Sequence, residues 1–155
     1  MSSPAAVPSA SSADRPGWVT ARTGGGSFRT SLTASGHALV LDEPPNVGGG
    51  GLGPTPYDLL VGSIAACTAM TMRMYAARKG WPLEEAVVSL REAPSHAADC
   101  ERSETEEVGV RRIERHVEMR GPLTDEQRAR ILAVADRCPV KQTLERGLRV
   151  VDAAP

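Results

Sequence analysis

Apolar and polar positions keep a different rhythm in each third of the chain. From Trp18 to Asp42, WVTARTGGGSFRTSLTASGHALVLD, they alternate, visibly so at Phe28, Thr30, Leu32 and again at His37, Leu39, Leu41. A period of two over short runs, broken by Gly24 to Gly26 and by Ala34-Ser35-Gly36, predicts a three-stranded antiparallel meander. From Pro56 to Lys79, PYDLLVGSIAACTAMTMRMYAARK, the alternation disappears. Leu59, Leu60, Ile64, Met70, Met74 and a carpet of Ala, Gly and Ser make the segment apolar on nearly every side until Arg73. Thr55 as cap, Pro56 at the first helical position and Gly80 as stop predict one helix roughly 35 Å long. A helix apolar all round must be covered all round, and a chain of 155 residues has little to cover it with. Burial against a second chain is therefore expected. A membrane span is disfavoured, because Asp58, Ser63, Thr68, Thr71 and Arg73 shorten and dilute the apolar run.

Between these segments, Glu43 to Pro56 (EPPNVGGGGLGPTP) reads as a flexible connector; no GK[ST] follows the glycines, as a phosphate cradle would require. Further on, EAVVSLRE (85–92) reads as a strand and Pro94 to Glu107 as a polar loop. Ile113, Arg115, Val117 and Met119 alternate with charged or polar neighbours, which marks a strand with one wet face. LTDEQRARILAVADRC carries a capping box, Thr124 with Gln127, at the head of a helix whose Ile131, Ala135 and Cys138 share a face. Pro139 turns the chain and opens a short second helix to Arg146; Gly147 ends it, and LRVVD is expected to close the chain as a strand. The order βββ-α-ββ-αα-β is an α+β arrangement with the apolar helix at its centre. Residues 1–17 are polar and Pro-rich, with neither a basic nor an apolar leader segment, and are expected to form a disordered tail ahead of one domain, 18–155.

Charge narrows the function. With 18 Lys+Arg against 19 Asp+Glu, the net charge of −1 gives no electrostatic reason for a nucleic-acid or membrane partner. The aromatics are too few for base stacking, being Trp18, Phe28, Tyr57, Tyr75 and Trp81 alone. His37, His96 and His116 fall on separate elements without ligand spacing, so no metal is expected. Cys67, Cys100 and Cys138 are odd in number and lack CxxC spacing, and they read as thiols of a reducing cytoplasm.

Two of these thiols are placed for chemistry as well as for packing. Cys67, mid-helix in apolar surroundings, serves equally as buried filler; to react it needs a cation brought from elsewhere, and Arg22 and Arg29, flanking the Gly24 to Gly26 turn, are the candidates. Cys138, just ahead of Pro139, stands at the cap of a short helix, where free N–H groups favour a thiolate. Plain turn packing is the alternative there. Cys100, in the polar loop, reads as incidental.

The segments GHALVLDEPPNVGGGGLGPTPYDLLVGSIAACTAMTMRMYAARKGW and LTDEQRARILAVADRCPVKQTLERGLRV together resemble the OsmC-like family, which includes the organic hydroperoxide resistance proteins, over about Trp18 to Asp152. The resemblance implies an α+β fold completed by an intertwined homodimer, with long central helices packed together and sites at the subunit interface. In the peroxidase members the first cysteine, here Cys67, attacks the peroxide and becomes a sulfenic acid. The second, here Cys138, resolves it to a disulfide that an external dithiol, such as a lipoylated protein, re-reduces; no bound cofactor is implied. Those members carry a Glu ten residues before the first cysteine, paired with an Arg of the N-terminal hairpin. Here that position is Tyr57 and Asp58 follows it, in the P-x-(D/E)-L-L form of the less-characterised branch. The resemblance thus implies a hydroperoxide reductase using Cys67, Cys138, Arg22 or Arg29, and Asp58. Its alternatives are a non-catalytic protein binding a small hydrophobic ligand, and a disulfide redox sensor.

Overall fold

The computed structural model describes residues 17–93 and 112–151. Its chain divides into two units, one holding the residues up to Leu59 and the other Leu60–Ala93 with the residues from 112 onward. In the first unit, β1 (Val19–Thr23), β2 (Thr30–Ala34) and β3 (His37–Leu41) form the expected antiparallel meander, with Leu32 opposite both Ala21 and Leu39.

The Gly/Pro segment after β3 departs from a loose connector. Asp42 is buried, and its carboxylate accepts hydrogen bonds from the backbone N–H groups of Glu43 (2.9 Å), Gly50 (3.0 Å) and Leu52 (3.3 Å). One side chain thus gathers three backbone donors that would otherwise lack partners. The chain passes so close to its own backbone that a Cβ on Gly49 would meet the Glu43 carbonyl, and one on Gly53 the Val40 carbonyl. The glycines there permit close approach more than flexibility.

Helix α1 (Pro56–Lys79) is capped at its start by Thr55, whose Oγ1 accepts from the Asp58 N–H at 3.2 Å while the Asp58 carboxylate accepts from the Thr55 N–H at 2.8 Å. This reciprocal pair satisfies two donors at the helix head. At the other end Gly80, at φ 65°, lets the Trp81 N–H reach the Ala76 carbonyl (3.0 Å) and its own N–H reach that of Ala77 (3.1 Å). That is the double bond of a Schellman stop.

The second unit contains the rest of α1, a hairpin of β4 (Glu85–Ala93) and β5 (Arg112–Arg120), then α2 (Asp125–Ala135) and α3 (Pro139–Arg146). Its core is Met72 and Ala76 of α1, Leu83, Leu123, and Ile131 and Ala135 of α2, with Ala86, Val88, Val117 and Met119 packed on it from the inner face of the hairpin. The alternation of β5 is as expected: Ile113, Arg115, Val117 and Met119 are half-buried, and Glu114, His116, Glu118 and Arg120 are exposed. The Thr124–Gln127 capping box is present, and Arg128 fastens α2 to the end of β5 through the carbonyls of Met119 (2.8 Å) and Gly121 (2.9 Å).

Two expectations require correction. LRVVD forms no strand where it is described, Leu148 to Val151; Val150 is 95% exposed, and a strand without a ladder partner among the described residues has nothing to hold it. Helix α1 buries one stripe within the chain, Val61, Ile64, Thr68, Met72 and Ala76, and leaves Met70 and Met74 each 65% exposed, so the described chain does not cover its apolar helix alone. Its 24 residues have the length expected, and by length and composition alone the helix is long and apolar enough to cross a membrane, which its polar residues were expected to prevent. The expected loop from Pro94 to Glu107, with Cys100 and His96, lies outside the described residues.

Candidate active site

The second unit brings Cys67 and Cys138 together, both as free thiols. Cys67 is half-buried beside the inward stripe of α1, so one side of it is open to a small reactant. Cys138 is 0% exposed and stands at the N-cap of α3, with Pro139 at the first helical position. Its Sγ lies 3.9 Å from the Ile64 carbonyl oxygen of α1. The short helix is thus seated on the long one within a turn of Cys67.

Burial by itself would push the Cys138 thiol up. The Lys141 backbone N–H, the Thr68 hydroxyl, the Cys67 thiol and the Val140 N–H face the sulfur, however, and together they bring it below its ordinary value of 9.0. Donors of this kind hydrogen-bond the charged form and so favour it. A helix head supplies two of them without any charged residue, since its first N–H groups point out of the helix.

The other expected site residues lie in the first unit. Arg22 is in β1, half-buried, with its carbonyl accepting from Ser31 Oγ at 3.3 Å. Arg29 immediately precedes β2, and its carbonyl accepts from Thr23 Oγ1 at 3.5 Å. The two do flank the β1–β2 connection as the sequence indicates. Asp58 is exposed and engaged with Thr55 at the head of α1, where its Oδ2 also accepts from Thr55 Oγ1 at 2.8 Å.

Sequence reasoning passed over Thr68. It counted only as a polar residue diluting an apolar helix, yet it is 0% exposed and next to Cys67 in the chain. Its position in phase with Ile64 and Met72 was the available signal, because a threonine on the buried stripe of a helix must find an acceptor inside.

Comparison with known proteins bears on the family and the fold. The OsmC family model, OsmC-like protein, matches residues 48–151, more than half of the chain and both cysteines. No curated protein matches by sequence. Among solved structures, an OsmC-like protein of Mycoplasma pneumoniae is 22% identical with a TM-score of 0.65, over 85% of this chain and 89% of that one. An organic hydroperoxide resistance protein OsmC of Legionella pneumophila is also 22% identical, with a TM-score of 0.58 over 83% and 90%. A structure from Vibrio cholerae, described as an organic hydroperoxide resistance protein with captopril in one of its active sites, is 21% identical, with a TM-score of 0.54 over 85% and 87%. At these identities the likeness establishes the α+β OsmC-like fold.

Proposed function

Because the chain belongs to the OsmC-like family, we propose that it reduces organic hydroperoxides through Cys67 and Cys138, in the cytoplasm and as a homodimer. One observation carries the reading: a half-open thiol and a fully buried, thiolate-favouring one share a site. The open thiol is the one a peroxide can reach. Cys67, as thiolate, attacks the distal peroxide oxygen; the O–O bond breaks, the alkoxide leaves and takes up a proton as alcohol, and Cys67 becomes a sulfenic acid. The Cys138 thiolate then attacks the Cys67 sulfur, the S–S bond forms, and the S–O bond breaks to release hydroxide, which a proton converts to water. The two electrons that reduced the peroxide come from the thiol pair, and an external dithiol, for example on a lipoylated protein, restores them.

Arg22 or Arg29 is the cation assigned to the Cys67 thiolate, and Asp58 the acidic partner. The exposed Met70 and Met74 of α1, with Leu148 to Val151 in no strand among the described residues, support a second copy of the chain as the missing cover. The captopril in the active site of the Vibrio cholerae protein supports a site that admits a small organic molecule.

The test is turnover of cumene hydroperoxide with a dithiol such as dihydrolipoamide, expected in the parent chain and absent in Cys67→Ser. Undiminished peroxide consumption in Cys67→Ser contradicts the assignment. Tyr57, where the peroxidase members carry Glu, favours a second reading in which the protein binds a small hydrophobic ligand without turnover. That reading is met if ligand protects Cys67 from alkylation while peroxide leaves it unchanged. A disulfide formed without turnover would mark a redox sensor.

A further inference from the structure

A threonine inside a helix ordinarily donates its hydroxyl to the carbonyl four residues back. Thr71 does so, to the Cys67 carbonyl at 2.7 Å. Thr68 does not: its Oγ1 is fully buried and makes no hydrogen bond of normal geometry among the described residues. The carbonyl it would have used, that of Ile64, is the one approached by Cys138 Sγ at 3.9 Å. The sulfur at that carbonyl is thus the polar group set beside the buried Thr68 hydroxyl, and it is the group whose ionisation that hydroxyl favours. An unpartnered hydroxyl in a dry site is costly when the group opposite it is neutral and favourable when that group carries charge.

We propose that Thr68 is a positioning residue for Cys138, its buried hydroxyl donating to the sulfur and holding it as the thiolate that attacks the Cys67 sulfenic acid. The proposal rests on the reading of Cys67 and Cys138 as peroxidatic and resolving thiols. It adds that the resolving thiol is ionised in advance, by a residue adjacent in sequence to the one it must attack. The same helix therefore presents the reacting sulfur at Cys67 and the donor for its partner at Thr68. With Cys138 already a thiolate, forming the disulfide needs no further base; the displaced hydroxide takes its proton from solvent.

The test uses the full chain carrying Cys67→Ser and Cys100→Ser, so that Cys138 is the sole thiol, and follows the ultraviolet thiolate absorbance against pH. Thr68→Val, which keeps the shape and removes the hydroxyl, is expected to raise the midpoint by about one to two pH units, the worth of a hydrogen bond to a charged group. Thr68→Ser should restore it. An unchanged midpoint in Thr68→Val, or a Thr68→Ser chain as displaced as Thr68→Val, overturns the proposal. If Thr68→Val does not fold, Thr68→Ala is read in the same way. Because this titration involves no peroxide, its outcome is separate from that of the peroxidase reading. With Cys67 restored, Thr68→Val should also let the Cys67 sulfenic acid persist long enough for dimedone to trap it. Disulfide formation as fast as in the parent overturns the role in that step.

Discussion

Cys138 Sγ lies 3.9 Å from the Ile64 carbonyl oxygen, so the cap of the last short helix rests on the long helix three residues before Cys67. That contact joins two stretches far apart in the sequence and turns an apolar helix and a Cys-Pro turn into one site. It also separates the thiols by access: Cys67 keeps an open side, and Cys138 has none.

The two thiols should consequently fail differently. In Cys138→Ser, peroxide is expected to oxidise Cys67 to a sulfenic acid that lingers, and turnover with dithiol to fall. Dimedone labelling followed by peptide mass mapping checks this. Loss of all Cys67 oxidation in Cys138→Ser would mean that Cys138, despite its burial, is the thiol that meets the peroxide.

Ionisation of Cys138 also affects folding. Its thiol sits below the ordinary value of 9.0 in the folded chain, so the folded state releases the proton more readily than the unfolded one. The resulting stability is fully present above the unfolded thiol's value and is lost as pH falls through the folded one. Urea midpoints of a Cys100→Ser chain should therefore rise more between neutral and alkaline buffer than those of Cys100→Ser/Cys138→Ser. Identical pH dependence in the two chains would remove this effect.

The bare side of α1 makes a prediction about assembly. Met70 and Met74 are each 65% exposed, and a charge at either position should leave the fold intact while separating two copies. Light scattering on Met70→Glu and Met74→Glu is expected to show monomers with the far-ultraviolet spectrum of the parent. A parent chain already monomeric at high concentration contradicts the homodimer.

Packing in the second unit rests on few large side chains. Ile131 is 0% exposed among Met72, Ala76, Leu83 and Leu123, and Ile131→Ala should cost about 2–5 kcal/mol. Denaturant unfolding measures it; Leu132→Ala, at an exposed position of the same helix, should cost far less.

Much of the frame could be read before the structure because its signals are local. Thr55-Pro56 and Gly80 bound α1, Thr124 and Gln127 open α2, and Pro139 starts α3, each through a rule that spans four or five residues. The Asp42 cradle was not legible, since it depends on donors eight and ten residues away whose path the glycines leave open. LRVVD misled because β-rich composition records a preference for a half-buried strand, which only a neighbouring strand can satisfy. At the site, Cys67 and Cys138 could be named, but the direction of the Thr68 hydroxyl depended on which carbonyl Cys138 would approach. Asp58 was legible as a carboxylate in the first turn of α1, and its engagement with Thr55 follows from the cap.

The central claim is that Cys67 and Cys138 exchange electrons as a pair. Intact mass and peptide mapping of the full chain after one equivalent of cumene hydroperoxide test it most directly. The account predicts the loss of two hydrogens, located to a Cys67–Cys138 disulfide and reversed by dithiol. A chain of unchanged mass, or one oxidised only at Cys100, would contradict it.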